Sequence, residues 1–164
     1  MSSKISVANL VMLAGAVVTL IFSFFAYFKF GGESVNAWDG DALAFATTVP
    51  AILAIVMAIW IGLELAGVSL PEQVLTFDRN QLKATWAISA AGIMLSWISA
   101  DVGSTDKGIG FWFMLIGSLA MAVGAVMALL GKGTETVDIP GVGGTSAGTA
   151  GTAADDMPPP PPPA

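Results

Sequence analysis

The chain has 164 residues, of which 55% are hydrophobic and 11% charged, against about 25% charged in ordinary soluble domains. A mean hydropathy of +0.78 argues against a water-soluble core, and the absence of cysteine and histidine excludes disulfides, thiol catalysis, His-ligated haem, Cys-ligated iron–sulfur clusters and the common zinc sites. The net charge of −6 gathers late in the chain, where Glu135, Asp138, Asp155 and Asp156 follow the last cation, Lys132, and this excludes nucleic-acid binding by that segment.

Four apolar stretches run from Ser6 to Phe28, Ala42 to Leu63, Ala84 to Ala100 and Ile109 to Leu130. Each approaches the roughly 20 residues that a helix needs to cross the bilayer core, and none holds an internal charge. The first outruns the roughly 7 to 15 apolar residues of a secretory signal and ends in Phe24, Phe25, Tyr27 and Phe28, so it reads as a retained crossing. The connection from Lys29 to Asp41 holds Gly31, Gly32, Asn36 and Gly40 and reads as irregular.

In the second stretch, Thr47, Thr48 and Pro50 predict a bend. The longer connection from Glu64 to Lys83 contains Ser69-Leu70-Pro71-Glu72, which reads as the start of a short surface helix laying Val74, Leu75 and Phe77 on a bilayer. Glu64 and Asp101, the acids nearest the spans, are expected in headgroup water, with no cation placed to neutralise either. The third stretch is short and would borrow Leu82 or Val102.

The sharpest pattern lies in the fourth stretch, where Gly110, Gly117, Gly124 and Gly131 recur every seven residues beside Ala120-x-x-x-Gly124-x-x-x-Ala128. Such a stripe of small residues admits another helix at close range. The neighbour is either the first or third span of the same chain, or a helix of a second copy or another membrane protein; the remaining alternative is that the stripe lines a pore. An echo between Ala14-Gly15 with Ser23 and Ala91-Gly92 with Ser99 stops short of a repeat.

Lys4, Arg79, Lys83 and Lys132 fall on one side of this four-span scheme and Lys29 and Lys107 on the other, which places both termini in the cytoplasm. Trp38, Trp60, Trp86, Trp97 and Trp112 all lie near a proposed boundary, as expected of interface anchors. Beyond Lys132 the composition turns to Gly, Thr, Ala and Ser and ends in Pro158, Pro159, Pro160, Pro161, Pro162 and Pro163. This reads as a disordered linker carrying a polyproline II rod that a cytoplasmic polyproline-binding protein could dock.

The four-span order, the aromatic run Phe22 to Phe28, the Asn36-Ala37-Trp38 triplet and the Gly/Pro-rich end resemble small actinobacterial four-span membrane proteins. That resemblance implies a multi-pass cell-membrane protein and no catalytic residue.

The expected architecture is therefore all-α: an integral membrane four-helix bundle over residues 1–132 and a disordered C-terminal tail over 133–164. The expected function is a non-enzymatic accessory or scaffold protein without cofactor or metal, partnered by the lipid bilayer, by a second copy or another membrane protein, and by a tail-binding protein. The rivals are an oligomeric channel or carrier for an uncharged solute, with Thr47, Thr48, Ser96 and Ser99 as pore hydroxyls, and an interfacial enzyme using Glu64, Glu72 or Asp78.

Overall fold

The structure is a computed structural model that describes residues 3–39, 44–100 and 106–139. Four helices carry most of it: α1 (Val7–Phe22), α2 (Ala44–Leu65), α3 (Arg79–Ser99) and α4 (Ile109–Leu129). Local chemistry sets their ends. The Ser6 hydroxyl accepts the Asn9 amide to open α1, and Asp78 opens α3 with a reciprocal capping box closed by Gln81. Gly67 and Gly131, at φ +74° and +65°, end α2 and α4 in left-handed conformation. There Val68 N–H reaches the Leu63 carbonyl and Lys132 N–H the Met127 carbonyl. Gly131 is thus a helix terminator, not a continuation of the packing stripe.

α1 stops at Phe22, six residues before its expected end at Phe28: the Phe24 and Phe25 amides bond only three residues back, to the Ile21 and Phe22 carbonyls, and Phe28 begins a strand. Its 16 residues span about 24 Å, less than the roughly 30 Å of a hydrocarbon core. Among the described residues, α2 and α4 are the two helices long and apolar enough to cross a membrane. α3 begins earlier than expected and takes Arg79, Asn80, Gln81 and Lys83 into its first turns.

The helices run up and down, with α1 and α3 each packed between α2 and α4. Their inward faces are built from small and flexible residues. Ile5, Met12, Ala16, Ala54, Met57, Ala87, Ala90, Met121 and Ala125 form the core toward one end. Tyr27, Phe28, Ala51, Met94, Phe111 and Met114 form it toward the other.

Both ends are capped by short strands, which corrects the all-α expectation. At the end where α1 begins, β1 (Ser3–Ser6) pairs antiparallel with β7 (Thr136–Ile139). Part of the segment expected to be structureless after Lys132 is therefore a strand, tied further by Val7 N–H to the Glu135 carbonyl. The predicted surface helix is instead the hairpin β4 (Gln73–Val74) and β5 (Phe77–Asp78), turned by Leu75 at φ +58°. Arg79 draws the preceding chain out of helical form by donating to the Leu70 and Pro71 carbonyls. At the opposite end, β2 (Phe28–Phe30) lies between β3 (Glu33–Val35) and β6 (Asp106–Lys107). The connection expected to be irregular is thus in part a hairpin, with Gly31 and Gly32 supplying positive φ at its turn.

Candidate functional site

The most distinctive chemistry lies where α1 begins, α2 ends and α3 begins. Asn9, in the first turn of α1, faces inward because Ser6 fixes the helix start. Trp60 and Glu64 stand one turn apart on α2, and the indole Nε1–H donates to Glu64 Oε1 at 3.0 Å. Lys83 enters from α3, only 3% exposed.

Its ammonium donates to Asn9 Oδ1 at 3.0 Å and lies 3.4 Å from both oxygens of Glu64. Asn9 Nδ2 completes the triangle by donating to Glu64 Oε2 at 3.2 Å. One carboxylate thus takes three donor groups from three helices. Burying two charges costs several kcal/mol per ion, so a pair of this kind contributes little net stability while making any broken version costly. Its donors and acceptors are spent on one another, which describes a clamp that fixes the register of α1, α2 and α3. Glu64 therefore has the cationic partner that sequence reasoning denied it.

The glycine stripe faces inward. A Cβ on Gly110 would lie 2.7 Å from the Phe25 carbonyl oxygen, one on Gly117 2.5 Å from Thr19 Oγ1, and one on Gly124 2.8 Å from the Ala8 carbonyl oxygen. All three are used against α1 and the turn that follows it in the same chain. Ala128 packs on the core, and Ala120 is half-buried.

The tryptophans divide between the two ends. Trp60 and Trp86 meet edge to face at 5.6 Å beside the clamp, and Trp97 stands edge-on to Phe28 at 5.6 Å. Trp38 donates to Ser23 Oγ at 2.9 Å, and Trp112 is exposed beside Phe111. The polyproline residues Pro158 to Pro163 and Asp101 lie outside the described residues.

The candidate pore hydroxyls lie on two helices, Thr47 and Thr48 on α2 and Ser96 and Ser99 on α3. Thr47 and Thr48 both donate to the Ala37 carbonyl, Ser96 bonds back to Ile93, and Ser96 and Ser99 are exposed on α3. Of the candidate interfacial acids, Asp78 caps α3 and Glu72 is exposed.

The pair was legible in one respect that sequence reading passed over. Lys83, Ala87, Ala90 and Met94 recur at helical spacing and are all buried, so Lys83 begins the inward stripe of α3. No family model matches this chain, and neither a curated protein nor a solved structure does.

Proposed function

We propose that this chain is a multi-pass integral membrane protein of the accessory or scaffold kind, non-enzymatic, crossing four times with both termini in the cytoplasm. The observation that carries the reading is an inverted distribution of side-chain size. Val17, Ile21, Ile52, Ile59, Ile88, Leu95, Ile98, Ile116, Val123 and Val126 are exposed around all four helices, while the interior is largely alanine, glycine and methionine. Water disfavours that arrangement; lipid accommodates it, since helix association there depends on close backbone approach.

With Gly110, Gly117 and Gly124 committed internally, a helix neighbour would meet another face. Thr85, Ser89, Gly92, Ser96 and Ser99 are exposed on α3 at alternating spacings of four and three. The tail would recruit a cytoplasmic partner from the end of the body where β1 and β7 pair.

Because the chain lacks cysteine, single-cysteine variants test the topology directly. Ser34→Cys should react with an impermeant maleimide on intact cells, and Gln73→Cys only after permeabilisation. Release of the protein by alkaline carbonate would overturn the membrane reading, and reversed labelling would overturn the orientation. Recruitment is tested by comparing co-purified proteins for the full chain and a version ending at Pro140, which retains β7. Identical partners would remove the tail from the proposal.

A further inference from the structure

We propose that the clamp end of the bundle binds a phosphate anion, in a cavity of about 120 Å³ between the starts of α1 and α3 and the chain following α4. Its polar lining consists of Ser6, Asn9, Asn80, Lys83, Lys132 and Thr134. In a chain of net charge −6, this lining holds two lysines and no acid. Glu64 neutralises Lys83 through the clamp, and among the described residues no acid forms an ion pair with Lys132. The nearest capping acid, Asp78, is turned to the amides of Asn80 and Gln81.

The backbone sharpens this assignment. The first amides of α1 do not face a ligand, since Val7 and Ala8 donate to the carbonyls of Glu135 and Gly133. Recognition therefore falls to side chains: the Lys132 ammonium for charge, with the Asn80 amide and the Ser6 and Thr134 hydroxyls as hydrogen-bonding groups. The cavity has room for a tetrahedral oxyanion. Two sources share that chemistry, the headgroup of an anionic phospholipid and free phosphate. The lipid source rests on the membrane reading, whereas the free-phosphate source does not.

The full chain in uncharged detergent is unfolded thermally, followed by tryptophan fluorescence, with dioleoyl phosphatidylglycerol, dioleoyl phosphatidylcholine, or sodium phosphate against sodium chloride at equal ionic strength. Phosphatidylglycerol should raise the midpoint saturably and phosphatidylcholine should not. Lys132→Gln should at least halve the shift, and Asn80→Asp, which places a carboxylate on the rim, should abolish it. The same shift from sodium phosphate, in competition with phosphatidylglycerol, would assign the site to free phosphate. No shift from either, equal shifts from both lipids, or equal shifts in the parent and both variants would overturn the proposal. A chain that resists carbonate extraction yet shows no shift would lose this site and keep its membrane assignment.

Discussion

Gly15 and Gly117 each occupy the space that a side chain on the other would need. A Cβ on Gly15 would lie 2.5 Å from the Gly117 carbonyl oxygen, and one on Gly117 would lie 2.7 Å from that of Gly15. Both obstacles are backbone atoms, so no rotamer change relieves them. Gly15→Ala or Gly117→Ala should push α1 and α4 apart at a cost of about 1 to 3 kcal/mol. Gly92 has nothing within 4 Å of its Cβ position, and Gly92→Ala should be neutral or stabilise by up to about 1 kcal/mol. Thermal unfolding of the three variants in one detergent separates these outcomes; equal losses would contradict the close approach.

The clamp predicts a strongly non-additive pair. Lys83→Met leaves the Glu64 carboxylate without its cation and should cost about 3 to 5 kcal/mol. Adding Glu64→Gln to that variant should recover part of the loss, since the uncompensated charge is gone. A double-mutant cycle from denaturant unfolding measures the coupling, and simple additivity would show that the two groups do not interact.

Tyr27 is the single tyrosine of the chain, buried against Phe28 and Phe111 with its hydroxyl 3.4 Å from Met94 Sδ. Burial pushes its phenol above the ordinary value of 10.0. The folded chain therefore retains a proton that the unfolded chain releases above about pH 10, so this contribution to stability is complete below that pH and declines above it. Spectrophotometric titration should show no tyrosinate until the bundle unfolds, and Tyr27→Phe should flatten the alkaline loss of stability. A phenol that ionises near pH 10 in the folded chain would refute this.

Asp78 holds the first turn of α3 and, through it, the approach of Lys83. Asp78→Ala removes acceptors for the Asn80 and Gln81 amides, each at 2.8 Å, and should cost about 1 kcal/mol. Asp78→Asn, which keeps a capping oxygen, should lose markedly less. Helix content and unfolding midpoint report both.

Helix positions were legible in the sequence because Gly, Pro and charged residues punctuate the apolar runs, and the seven-residue glycine spacing did mark a close helix contact. What that spacing could not carry was the identity of the neighbour, since a stripe looks the same whether α1 or another chain fills it. The strands were missed for a different reason. Two- to four-residue pairings such as Gln73–Val74 with Phe77–Asp78 have no periodicity of their own, and depend on partners such as Arg79 reaching back to Leu70 and Pro71. The clamp escaped because Asn9, Glu64 and Lys83 are 55 and 19 residues apart in sequence, and no local spacing links them.

The register of Ser3 against Ile139 and Ser6 against Thr136 closes the folded body on itself. Such a body is a ring with a seam, and the seam need not be where the polypeptide happens to open. Residues 3 and 139 could be joined by a short linker and the chain reopened between Gly31 and Gly32, a circular permutation that leaves every helix and the clamp intact. A domain inserted at that turn would project from one end of the bundle, while one attached beyond Ile139 would project from the other.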